Sequence, residues 1–210
     1  LWALTTIYPI FWVVLNSIKD RKIIVSDSFS LPIGEKFSMA NYQLAFERLD
    51  IFGAYRNSLI ISLSVAVVVI LLAGMASYAL VRYTFKGKEI LNGLVIAGMM
   101  FPVFATIIPV FQMMSKWGIV NTPDLWKSLL ATALPQIAGN MSFAIVVLSG
   151  YIKGLPVELE EAAYMEGCNA FQIFTRVVMP LSKPSFATVG IFSFLWSYND
   201  LFTQSFMLRG

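Results

Sequence analysis

"IISLSVAVVVILLAGMASYALV", residues 60–81, runs for 22 residues without a charge. A helix rises 1.5 Å per residue, so a stretch of this length matches the roughly 30 Å hydrocarbon layer of a bilayer. A transmembrane strand would need only about ten residues and would alternate apolar and polar positions. This run does neither. It predicts a membrane-spanning helix, and the rest of the chain has to be read in that light.

Outward from it, four more segments share the pattern. With the first, the predicted spans lie near 1–17, 57–81, 90–115, 125–150 and 185–202. Apolar residues make up 58% of the sequence and charged ones 13%, against about 45–50% and about 25% in ordinary soluble domains. The expectation is an all-α polytopic membrane protein, residues 1–210 forming one transmembrane domain. Residue 1 is a leucine already inside an apolar run, and the chain closes on "FMLRG" without another span. A piece of a longer protein is therefore expected. The first segment has no basic flank ahead of it and no small-residue cleavage site, which argues against a removed signal peptide.

Charge adds less. "RYTFKGKE" (82–89) reads as a cytoplasmic loop, but "IKDRKII" (18–24) is basic too, and alternation places the two on opposite sides. Charge bias leaves the orientation open. The net charge of +3 suits anionic lipid head groups, and without a basic-aromatic patch it does not point to nucleic acid.

Several chemistries are excluded. The sequence has no histidine, which removes Ser-His-Asp and Cys-His catalysis and histidine metal sites. Its one cysteine, Cys168, can form no disulfide framework or C-x-x-C pair. There is no P-loop or G-x-G-x-x-G fingerprint. The five aspartates fall in loops or near span ends, unsuited to intramembrane proteolysis. An enzyme is not expected, nor a metal.

"LPVELEEAAYMEGCNAFQIFTRVVMP" (155–180) departs from the oily background. Pro156 suits a first helical turn, and Glu158, Glu160 and Glu161 complement the positive end of a helix dipole. Gly167 offers the left-handed conformation that ends a helix, and Asn169 can cap the next, predicted over 170–179 and stopping near Pro180. Phe171, Phe174, Val177 and Val178 give that second helix an apolar stripe. Small Ala162 and Ala163 beside Glu161 have the profile of a docking knob. The plainer reading is a surface helix whose glutamates keep a loop soluble, and helix physics alone does not separate the two.

The spacing E-A-A, three residues, G, nine residues, V-x-M-P resembles the EAA loop of bacterial ABC importer permeases, EAA-x3-G-x9-I-x-L-P. It falls here on Glu161, Ala162, Ala163, Gly167, Val177, Met179 and Pro180. Val177 for Ile and Met179 for Leu are mild apolar departures. "YPIFWVVLNSIKD" (8–20), "NSLIISL" (57–63), "MFPVFATIIPVFQMMSKWGIVNT" (100–122) and "FLWSYNDLF" (194–202) narrow the likeness to the carbohydrate branch and its smaller, maltose-system-type permease. The resemblance implies a core of six helices, five of them present here, with a cytoplasmic helix-turn-helix coupling loop over 153–184. It implies a bacterial inner-membrane subunit that works with a second permease in a heterodimer, two cytoplasmic ATPases and an extracytoplasmic solute-binding protein. ATP and magnesium would sit on the ATPases, with no cofactor on this chain. Glu161, Ala162, Ala163, Gly167 and Pro180 would carry the coupling.

A transport path needs polar groups away from lipid. Thr132, Gln136 and Asn140, with Phe143, fall on one stripe of the fourth span. Thr188, Phe192, Trp196, Asn199 and Asp200 fall along the fifth. Amides and indole rings suit a neutral sugar. The competing reading for each residue is hydrogen bonding between neighbouring helices. Asp200 is expected at the outer interface, and Pro102 and Pro109 are expected to kink the third span. Three other readings remain: a structural membrane anchor, which would leave the polar stripes and the EAA spacing without a purpose, the same machine carrying a peptide or amino acid, and a secondary transporter or channel. The last would usually show intramembrane ionisable residues or inverted repeats, which this sequence does not.

Overall fold

The computed structural model describes residues 2–207, apart from the side chain of Val103. Leu1, where the first apolar segment begins, and residues 208–210, the end of "FMLRG", lie outside the described residues. The chain forms two compact units, Leu1–Arg56 and Asn57–Gly210. Its regular structure is helical, and among the described residues the sole β feature is an isolated bridge between Lys19 and Phe37.

In the first unit, α1 (Trp2–Ser17) is 16 residues long and tolerates Pro9 inside it. Asp20 then caps α2 (Arg21–Ser26) by accepting from the Lys22 amide. A 3-10 turn at Gly34–Lys36 and α3 (Ala40–Arg48) follow. The stretch "IKDRKII" is not a simple basic flank. Lys19 is fully buried, its ammonium donating to Asn16 Oδ1 at 3.1 Å and to the Ser28 carbonyl at 2.9 Å. Asn41 Nδ2 donates to the carbonyls of Ser17 and Lys19, closing the segment on itself.

The opening stretch lies in α4 (Ile51–Arg82), a 32-residue helix that begins earlier than the expected 57. Arg56, the charge that bounded the predicted span, is itself a good helix former and does not stop the helix, which continues through it. The third predicted span, 90–115, is not continuous. It is divided into α5 (Lys88–Met99) and α6 (Val103–Lys116), sharply bent at the break. Pro102 ends α5's reach because the residue before a proline avoids the helical region. Pro109 stays inside α6 without interrupting it. The fourth, α7 (Leu125–Lys153), is continuous, starts on an Asp124 cap that accepts from Trp126 and Lys127, and absorbs Pro135.

The loop region holds α8 (Glu158–Met165), α9 (Ala170–Ile173), a wide π turn over Phe174–Val178 and α10 (Met179–Leu181). The second loop helix thus runs to Leu181 and does not stop at Pro180. Proline lacks the N–H that would reach back a turn, and the widened turn before it accommodates that loss. An 83° bend at Ser182 leads into α11 (Lys183–Tyr198). The fifth predicted span, 185–202, is shorter than expected. It breaks at Asn199 and Asp200, and α12 (Leu201–Met207) starts anew. By length and hydropathy, α4 and α7 can each cross a membrane, and two bent pairs can add further crossings.

The main core joins α4 (Ile61, Val65, Val69, Ala73), α7 (Ala144, Ile145, Leu148, Ile152), the loop (Ile173, Phe174, Val178) and α11 (Phe186, Val189). Helix α4 comes close at Gly74, where a β-carbon would lie 2.7 Å from Phe186 and 3.2 Å from Phe174. A smaller cluster of Met114, Val120, Ala131 and Met207 packs α6, α7 and α12 together.

Candidate functional site

Helix α8 is delimited by local chemistry. Three glutamates crowd its first turn, favourable near the dipole's positive end. At the other end Gly167 takes φ +84°, the Cys168 amide donates to the Ala163 carbonyl and the Gly167 amide to that of Tyr164. This is the paired closure of a Schellman motif. Asn169 then caps α9 reciprocally with Gln172: Asn169 Oδ1 accepts from the Gln172 amide at 2.9 Å, and Gln172 Oε1 from the Asn169 amide at 2.8 Å.

The two faces of α8 differ. Ala163 and Cys168 pack on the core, together with Leu155 before the helix and Val177 and Met179 after it. Glu161, Ala162, Tyr164 and Met165 are exposed, Met165 at 84%. The expected grouping of Ala162 with Ala163 is therefore corrected: Ala163 anchors and Ala162 faces out beside Glu161. Of the second helix's predicted stripe, Phe174 and Val178 are buried and Val177 is half-buried, but Phe171 points away from the core, 66% exposed. Pro180 is exposed at the start of α10.

Glu160, adjacent to Glu161, turns inward. Arg82, the last residue of α4, donates from Nε to Glu160 Oε1 at 2.7 Å and from Nη2 to the Leu155 carbonyl at 3.0 Å. The two side chains are 13% and 10% exposed. Tyr78 and Glu160 share an open groove of about 450 Å³ with Glu161, Tyr164, Met165 and Ile173. Sequence reasoning placed Glu160 with the dipole-complementing glutamates and Arg82 in a basic loop, and did not pair them. The signals were present: Arg82 is the charge that closes the 60–81 run, and Glu160 lies three residues before the core-facing Ala163.

The polar residues of the fourth span are buried among helices. Thr132 donates to the Ser128 carbonyl and Asn140 to that of Gln136, both within α7. Gln136 reaches across: its Nε2 donates to Asp200 Oδ2, and its Oε1 accepts from Ser197 Oγ. Asp200 is half-buried and caps α12 through the Thr203 amide. The aromatic residues are different. Trp196 and Phe192 are 47% and 42% exposed, and with Phe143 they form a cluster with ring centroids 4.9–5.9 Å apart. Asn199 is exposed and donates to the Leu195 carbonyl, while Thr188 donates to that of Pro184.

A helical fold with several apolar helices, and a short glutamate-rich helix tied to the end of one of them, defines a multi-pass membrane protein. Residues 66–210 match the model of the family described as binding-protein-dependent transport system inner membrane component, and the chain belongs to that family. It is 34% identical over 201 residues to the diacetylchitobiose uptake system permease protein NgcG of Streptomyces coelicolor, covering 95% of this chain and 64% of that one. The chain thus spans less than two thirds of that relative's length. It is 34% identical over 194 residues to the trehalose transport system permease protein SugB of Mycobacterium tuberculosis, covering 92% and 67%. Its fold matches a chain in the crystal structure of a bacterial ABC transporter that imports the acidic polysaccharide alginate, with TM-score 0.81 and 24% identity over 100% of this chain and 71% of that one.

Proposed function

We propose that this chain is a transmembrane permease subunit of an ATP-driven importer for a sugar or oligosaccharide. The observation that carries the reading is the two-sidedness of α8. One face is fastened to the helix core, and the other presents Glu161, Ala162 and Met165 outward. A short charged helix held rigidly from behind is suited to receive force from a separate subunit. That subunit is an ATPase, present twice, and a second permease and an extracytoplasmic binding protein complete the machine. Glu161 supplies the charge for a partner's cation, Ala162 allows close approach, Ala163 seats the helix, and Gly167 and Pro180 set its angle. The hydrolysis of ATP takes place on the partner subunits.

The saccharide class is supported by the named cargo of the relatives, diacetylchitobiose and trehalose. In the path, Phe192 and Trp196 offer flat apolar faces and Asn199 an amide. Thr132, Gln136 and Asn140 are buried on α7, and Gln136 ties that helix to Ser197 and Asp200, next in sequence to Trp196 and Asn199.

The test is reconstitution of the full-length protein with its second permease, ATPases and binding protein in proteoliposomes. Saccharide uptake should require ATP on the ATPase side. Uptake that follows an ion gradient and ignores ATP would overturn the reading in favour of a secondary transporter.

A further inference from the structure

We propose that Arg82 and Glu160 are positioning residues that carry movement of α8 directly into the membrane helix α4. The inference rests on the coupling role of α8 given above and adds a second route for it. Along the chain, α8 connects to α7 through residues 154–157 and to α9 through the Gly167 turn. Both connections pass through turns, which bend under load. The link to α4 bridges 78 residues of sequence.

Two features suit that link to transmission. A single guanidinium holds two points of the loop, Leu155 just before α8 and Glu160 in its first turn, so it fixes orientation as well as distance. The contact is also charge-assisted and largely shielded from water, and therefore resists separation. The apolar contacts of Ala163 and Cys168 resist approach and slide more readily. With both kinds present, a pull on α8 reaches α4 as well as a push.

A buried ion pair is a poor source of net stability, since apolar residues of similar volume often serve as well or better. That property separates transmission from mere stabilisation. In the intact complex, the double variant Arg82→Met/Glu160→Leu should assemble and retain basal ATP hydrolysis, while stimulation by substrate-loaded binding protein falls by about fivefold or more. Arg82→Lys is the second variant. It keeps a charge opposite Glu160, so no carboxylate is orphaned, but its single nitrogen on a flexible stem lacks the rigid planar fork by which Nε and Nη2 hold the two acceptors in fixed directions. Stimulation in this variant should also fall, with ATPase co-purification unchanged. Unaltered stimulation in assembled Arg82→Lys complex would overturn the proposal whatever the double variant does. Failure of the coupling reading itself would look different, because the wild-type chain would then hold no ATPase and show no stimulation.

Discussion

Gln136 Nε2 lies 3.0 Å from Asp200 Oδ2, and the same amide accepts from Ser197 Oγ at 2.5 Å. One side chain on α7 thereby joins the end of α11 to the cap of α12, whose Thr203 amide donates to Asp200 Oδ1 at 3.0 Å. Gln136→Leu would leave the buried Ser197 hydroxyl and the half-buried Asp200 short of a partner. Stranding such groups costs about 1–3 kcal/mol. The purified protein in detergent should unfold at a lower temperature than wild type. An unchanged melting temperature would remove this network from the list of what holds α12.

Glu161 gives the opposite expectation. It is exposed, so Glu161→Lys should shift stability by no more than about 0.5 kcal/mol. Its effect belongs to the assembled complex. There the reversed charge should sharply reduce substrate-stimulated ATP hydrolysis, with expression and melting temperature unaltered. Wild-type stimulation and uptake from Glu161→Lys complex would refute the docking role of this face.

Gly167 is strained for any other residue by its backbone alone. At φ +84° it has no heavy atom within 4 Å of where a β-carbon would go, so there is no clash to add. Gly167→Ala should cost about 1–2 kcal/mol, and Gly167→Asn less, because asparagine enters the left-handed region more readily. Limited proteolysis of the 155–180 segment would read the order directly: Ala cut fastest, Asn between, wild type slowest. Equal rates for all three would show that the turn does not depend on glycine.

These cases mark how far the sequence was legible. The α4 run and the turn between α8 and α9 were readable because their causes are local: apolar length in the first, and Gly167 and Asn169 at fixed offsets in the second. The break at Asn199 and Asp200 was not. In an apolar context those residues read as the end of a span, and the Thr203 amide and Gln136 that hold Asp200 there come from a new turn and from 64 residues away. Glu160 and Glu161 were indistinguishable by type. Neighbours on a helix point about 100° apart, and Arg82 at the end of another helix decides which one turns inward. Lys19 is buried for a similar reason, since the Ser28 carbonyl that receives it lies nine residues on. Thr132, Gln136 and Asn140 share a stripe by spacing, and spacing alone leaves open whether such a stripe lines a path or bonds to other helices; their burial and the Gln136 contacts to Ser197 and Asp200 are set by residues distant in sequence.

Trp196 offers the sharpest test of the path. Its ring sits 4.9 Å from Phe143 and 5.9 Å from Phe192, close enough for mutual orientation, yet nearly half its surface stays open. A sugar ring presents C–H groups on one face, and an indole held in place by two other rings meets that face with little ordering cost. On the same helix Phe194 stacks on Tyr198 with centroids 5.7 Å apart, a separate pair that provides an internal control. Trp196→Ala should therefore raise the KM for saccharide uptake by about twofold to tenfold, the worth of one aromatic contact, with assembly and basal ATP hydrolysis retained. Phe194→Ala should leave KM unchanged even where it lowers the melting temperature. If the two substitutions affect KM alike, or Trp196→Ala has no effect on it, the cluster packs against lipid or a partner helix and the saccharide passes elsewhere.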